Sequence, residues 1–245
     1  MVDKLEMPKK KISKKYLEVE KLWVFIVLMC VSGFYGAYTY CIRGGVFSNA
    51  QTANLVLFSM AIGSGDWSRA AYLLIPMSAY LLGAIISEYV YEPMRKLKLI
   101  HWETLLIFIE IGAVIFLGLL PESAPYEIAQ VTINFISSMR LNTFRRAQEI
   151  PMATTFCTNH IRQLGNNIVH FVRYKDKRYF KVSLVHFKML FAFIVGGIFG
   201  TILSAKYLGR SIFITLIPLT IVFIRLLIVD LKTEKDDFDI VPGGH

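Results

Sequence analysis

Two short polar stretches, Ser48 to Asn54 and Thr154 to Asn159, interrupt a chain that is otherwise built from long apolar runs. Their hydroxyls and amides are suited to holding a small solute at membrane depth. Each stretch precedes a more helical run, Leu55 to Ile62 and Ile161 to Val169. Thr52, Asn54, Thr158 and Asn159 are therefore predicted near helix N-termini, where free N–H groups and the helix dipole favour an anion or a polar guest. Asn49, Gln51 and Thr155 add donors and acceptors within the same stretches. The bland alternative for each residue is an ordinary cap or an interhelical hydrogen bond.

Ionisable residues deep in apolar runs are the second signal, because a charge at the bilayer centre costs roughly 2.5 to 3.5 kcal/mol and needs a partner or water. Glu110 stands in the middle of the run from Ile100 to Leu120, with Glu103 on the same helical face. Arg140 lies two-thirds along the run from Tyr126 to Arg146. A Glu110 to Arg140 pair would neutralise both charges. Glu110 could instead serve as a proton-coupling carboxylate, or stay protonated against a backbone carbonyl. Asn142 follows Arg140 and is grouped with the same site. His160 and Arg162 bring positive charge to the second stretch, either for an anion or by reaching water at the membrane edge. Arg225, near the end of its run, can reach water in the same way.

The elements that must position these groups follow from hydropathy. The chain has 245 residues and is 55% hydrophobic. Full-length spans are expected at Leu22 to Ile42, Ala70 to Tyr91, Ile100 to Leu120, Tyr126 to Arg146, Leu184 to Leu208 and Ser211 to Leu231. Phe47 to Gly65 and Met152 to Val172 are too polar and short, and read as broken or re-entrant segments. This predicts an all-α, polytopic membrane helix bundle with six crossings; eight crossings are the alternative. Residues 1–21 form a basic N-terminal segment, 22–121 a first membrane repeat, 122–231 a second, and 232–245 a tail. The run from Leu22 lacks a small-residue cleavage site and is expected to remain as an anchor.

With six crossings the basic N-terminus, the Met94 to Lys98 turn, Arg145-Arg146, the Arg173 to Lys181 loop and the tail share one side. The positive-inside rule makes that side cytoplasmic and predicts a plasma (inner) membrane protein with both termini inside. The net charge of +9 is thereby explained without nucleic acid. Eight crossings would put the Met94 to Lys98 cluster outside, a poorer fit.

The halves match in residues. Thr52 aligns with Thr158, and Leu82-Gly83-Ala84-Ile85-Ile86-Ser87 aligns with Phe199-Gly200-Thr201-Ile202-Leu203-Ser204 in the same order. Three crossings per half would make the two pseudo-symmetric halves inverted. Gly33 with Gly36, and Gly196 with Gly197 and Gly200, form small-residue faces for close helix packing. Such faces also suggest a homodimer.

The Gly33-Phe34-Tyr35-Gly36-Ala37 run, Gln51-Thr52-Ala53-Asn54, and Ala153-Thr154-Thr155 followed by Thr158 resemble the YoaK family of bacterial integral membrane proteins over roughly residues 22–230. The chain departs from the family pattern at Gly36, where the family has an acid, at Ala53 and Asn159, where it has glycine, and around Met139 to Thr143. The resemblance implies the membrane architecture and no particular activity.

Enzyme signatures are absent: there is no His-Glu-x-x-His, no Gly-x-Ser-x-Gly and no Walker phosphate loop. Cys30, Cys41 and Cys157 lack ligand spacing, and His101, His160, His170 and His186 are scattered, so no metal and no cofactor is expected. The sequence thus points to a transporter or channel for a small polar or anionic solute in the lipid bilayer. A membrane scaffold and an intramembrane enzyme are the alternatives.

Overall fold

The computed structural model describes residues 16–97 and 99–234. Lys98, most of the basic N-terminal segment and most of the C-terminal tail, on which part of the charge expectation rests, lie outside the described residues. The elements are α1 (Leu22–Ile42), α2 (Gln51–Gly63), α3 (Trp67–Leu97), α4 (Trp102–Leu119), α5 (Tyr126–Thr143), α6 (Thr158–Tyr174), α7 (Lys177–Tyr207) and α8 (Leu216–Lys232). A 3-10 segment, Leu208–Thr215, joins the last two. A minimal antiparallel pair, β1 (Arg146–Ala147) and β2 (Ile150–Pro151), precedes α6.

Four helical stretches are long and apolar enough to cross a membrane: Leu22–Ile42, Trp67–Leu97, Trp102–Leu119 and the run Lys177–Lys232. Their outer faces carry exposed apolar side chains such as Leu81, Ile85, Phe108, Phe191, Ile198 and Ile221. Polar residues turn inward instead. In α5, Gln130, Asn134, Ser137, Ser138, Arg140 and Thr143 are all buried, which explains why this helix is not apolar enough to be recognised by composition.

Contacts fix the helix directions. At one end, Glu18 before α1 meets Arg225 of α8, and His101 before α4 meets Asp230 of α8. At the other end, Tyr38 of α1 donates to the Gly209 carbonyl at 3.3 Å, and Gly118 of α4 packs on Phe213. So α1 and α4 rise from the first end and α8 returns to it. In α3, Tyr72 meets Gln130 and Ser87 meets Thr143, so α3 and α5 are parallel and descend. Gly196 of α7 lies on the Cys30 backbone, and Gly200 on the Phe34 backbone, so α7 runs alongside α1 in the same direction.

The glycine faces are consumed by these internal crossings. A Cβ at Gly196 would strike the Cys30 carbonyl, and one at Gly33 the Phe193 carbonyl. They therefore give no separate argument for a dimer.

Three sequence expectations need correction. The Met94 to Lys98 turn is helical as far as Leu97, because α3 continues through Pro93. The Arg173 to Lys181 loop shrinks to a tight reversal in which Lys175 has φ 54° and the Asp176 side chain accepts from the Arg178 N–H, capping α7. The helix expected to reach Arg146 stops at Thr143, and the β pair begins at Arg146.

Candidate functional site

After α1 the chain turns at Gly44 (φ 81°) and Gly45 (φ 68°), a left-handed conformation that glycine adopts without a Cβ clash. It then folds back along α1. Asn49 Nδ2 donates to the Ser32 carbonyl at 3.0 Å, so the irregular segment 44–50 penetrates to the middle of α1 before α2 begins. After α5 the chain does the same from the opposite end. The Thr154 carbonyl accepts from Ser32 Oγ at 2.5 Å, and α6 begins four residues later, at Thr158.

Bare peptide groups at that depth would each cost several kcal/mol, on the order of a lost buried hydrogen bond. One side chain answers this in each loop. Asn54 accepts from the Phe47 N–H at 3.1 Å and donates to the Phe47 carbonyl at 2.7 Å. His160 Nε2 donates to the Ala153 carbonyl at 2.8 Å, while its Nδ1 lies 2.9 Å from His186 Nδ1. With the His160 proton on Nε2, a neutral His160 must accept at Nδ1 and His186 must donate.

Behind the loops sits a sealed ion pair. Arg140 Nη1 is 2.7 Å from Glu110 Oε1, and both side chains have 0% exposure. Arg140 Nη2 donates to Ser32 Oγ, and the guanidinium lies 5.6 Å from the centre of the Tyr35 ring. Ser32 thus joins α1, both loops and the buried cation.

The two helix starts face a common cavity of about 550 Å³. Phe47, Tyr80, Phe156 and Phe193 supply its apolar surfaces; Asn49, Gln51, Thr52, Thr155 and Thr158 supply polar ones. The first N–H groups of α2 and α6 have no partner in their own helices. Thr155 Oγ1 is fully buried and makes no hydrogen bond of good geometry among the described residues, with the Tyr80 hydroxyl among its neighbours.

Five residues predicted from the sequence, Asn49, Gln51, Thr52, Thr155 and Thr158, line this space. Gln51 also donates to Asn134 Oδ1 at 2.7 Å. Glu110 and Arg140 stand behind its wall. The others are elsewhere. Asn54 and His160 are occupied with the loop backbone, as above. Asn159 accepts from Arg162 at 2.9 Å. Asn142 lies at the far end of α5, donating to Glu88 at 3.1 Å. Thr52, Asn54, Thr158 and Asn159 lie at helix starts as expected, but the alternative of ordinary capping does not apply: the N-caps are Ala50 and Cys157, and neither makes a side-chain cap bond. Both helices begin deep inside, and their first residues line the cavity.

Sequence reasoning missed Phe47, Tyr80, Phe156, Phe193 and Ser32. Phe47 directly precedes the first polar stretch and Phe156 lies within the second, so both could have been noticed. Tyr80, Phe193 and Ser32 sit inside ordinary membrane helices, where aromatic and small residues carry no distinguishing signal.

Among the described residues, His101, Asp230 and Glu234 are a buried group with ligand atoms within 4.8 Å of one another. Asp230 is already engaged: Oδ2 accepts from the His101 N–H at 3.1 Å and from Thr104 at 2.7 Å, and Oδ1 lies 2.8 Å from His101 Nδ1. This arrangement caps the start of α4 from a neighbouring helix.

The family model described as "Protein of unknown function (DUF1275)" matches residues 24–225. No curated protein and no solved structure matches the chain.

Proposed function

Taking as premise that the chain belongs to the DUF1275 family, we propose that it is a membrane transporter or channel for a small polar or anionic solute. The solute binds between the starts of α2 and α6. The observation that carries this reading is the roughly 550 Å³ cavity onto which both helix starts open, together with the buried Thr155 hydroxyl in its wall, which makes no hydrogen bond of good geometry among the described residues and lies beside the Tyr80 hydroxyl. A volume of about 300 to 1,000 Å³ with apolar walls and a few convergent polar groups is usual for a small-molecule site.

The same reading includes two inverted halves, α1 to α4 and α5 to α8, with six crossings and two re-entrant segments. Its support is a set of matching relationships. Gly83 of α3 packs on the Phe135 carbonyl of α5, as Gly200 of α7 packs on the Phe34 carbonyl of α1. Helices α1 and α5 run in opposite directions, and each is followed by a penetrating loop and a short helix. Broken helices at matching places in inverted repeats are a common construction for transport sites.

The end that holds Lys21, Arg95, Lys96, Arg145, Arg146, Arg173 and Lys177 is proposed as cytoplasmic, by the positive-inside rule. A bacterial plasma membrane and the YoaK likeness belong to the same proposal.

The test is a thermal-shift screen of purified protein against inorganic anions, organic acids, amino acids and sugars. A reproducible shift that Thr52→Val or Thr158→Val abolishes supports the site. Shifts unchanged in both variants would move the site elsewhere, and no shift from any solute would sink the reading.

A further inference from the structure

We infer that the cavity takes up a small organic monocarboxylate together with one proton, and that Glu110 is the group that receives the proton from solvent. The inference deepens the transport reading and rests on it.

The carboxylate class follows from the cavity. Two sets of helix-start N–H groups and the Thr155 hydroxyl can receive an anionic head, as such termini commonly do. Phe47, Phe156, Phe193 and Tyr80 offer apolar surface for a carbon body. A bare inorganic ion would leave that surface unused.

The proton follows from charge. One residue separates the cavity from the buried cation: Thr155 lines the space, and the Thr154 carbonyl accepts from Ser32 Oγ, which accepts from Arg140. Empty, the site holds Arg140 as a cation and Glu110 as an anion, 2.7 Å apart and fully enclosed. A carboxylate arriving beside them would add a second anion to one cation. Protonating Glu110 restores neutrality: the acid keeps the proton, and Arg140 balances the guest. The two compensated states are therefore empty with Glu110 ionised and loaded with Glu110 neutral. Either intermediate leaves a net charge in a water-poor interior, which is strongly disfavoured.

Among the described residues, the titratable or charged groups facing Glu110 are Arg140 from α5 and Tyr35 from α1. Its remaining surroundings from α5 and the 3-10 segment, Thr132, Ile133, Ile136 and Ile212, carry no charge. Among the described residues, no second carboxylate lies there to compete for the proton.

Calorimetric titration of full-length protein with lactate and with benzoate, from about pH 5.5 to about pH 8, reads the linkage; both probes stay ionised over that range. The expected result is binding that weakens about tenfold per pH unit on the alkaline side. Glu110→Gln, a neutral mimic of the protonated acid, should bind with an affinity independent of pH. Wild-type affinity that ignores pH overturns the inference. So does a slope that persists in Glu110→Gln, since the probe's own acid form would then be what binds. Should that variant not fold, proton uptake by wild-type protein in weak buffer decides: about one proton per bound carboxylate is expected, and none overturns it. Failure of both probes at every pH, alongside a shift from a sugar or amino acid, sinks this inference and leaves the transport reading. Silence from every solute removes both.

Discussion

Ser32 Oγ donates to the Thr154 carbonyl at 2.5 Å, so a single hydroxyl in the middle of α1 holds the loop that launches α6. The Ser32 carbonyl holds the loop that launches α2, through Asn49. Both penetrating loops are thus referred to one position. Ser32→Ala should leave the Thr154 carbonyl buried without this donor and remove an acceptor from Arg140. A loss of about 1 to 3 kcal/mol is expected, seen as a lower melting temperature and a weaker ligand shift. Unchanged melting would show that the loops are held by other contacts.

Thr155 makes the opposite prediction. Its hydroxyl is buried without a hydrogen bond of good geometry among the described residues, so Thr155→Val should not destabilise the fold and can raise stability by about 1 kcal/mol. The ligand-induced shift should shrink in the same variant. Stability lost together with ligand response would assign Thr155 to the fold rather than to binding.

Removing one member of a sealed ion pair strands the other. Arg140→Met is expected to cost about 3 to 5 kcal/mol, and combining it with Glu110→Gln should recover a large part of that. Melting curves of the single and double variants give the comparison, and additive losses would argue that each side chain acts alone.

The close helix crossings can be tested at glycines. Gly196→Ala would drive a methyl into the Cys30 carbonyl, and the α1 and α7 backbones would have to separate. Markedly reduced yield and melting temperature are expected. Gly112 has open space where a Cβ would stand, so Gly112→Ala should be neutral or add about 0.5 to 1 kcal/mol through helix propensity.

His101 gives a pH dependence at the end of the bundle. Burial opposes its charged form, but the hydrogen bond and charge of Asp230, with Glu103 and Glu234 adding, prevail and raise its pKa above the ordinary value. A raised folded-state pKa means that the stabilisation is fully present below the unfolded value, near about 6.5, and is lost as pH rises through the folded value. Wild-type melting temperature should therefore decline on the alkaline side, and His101→Gln should flatten that decline. An equal slope in both proteins would assign it to another group.

The sequence by itself determined the helical membrane character, the extent of α1, the presence of two polar interruptions, and two charges that needed explaining. These follow from local properties: apolar length, hydrogen-bonding side chains in a greasy context, and the cost of an isolated ion. Thr52, Thr155 and Thr158 were legible for that reason. Only the tertiary structure decided which polar groups face open space and which are used up. Asn54 and His160 are hydrogen-bonding side chains in or next to the same stretches as the cavity residues, yet they bind Phe47 and Ala153, because a chain that folds back inside a bundle must first satisfy its own backbone. Tyr80, Phe193 and Ser32 became visible only when helices far apart in sequence were brought together. Hydropathy records how much a segment avoids water, whereas the position of a side chain relative to a cavity depends on helix rotation and crossing, set by contacts such as Gly196 against Cys30.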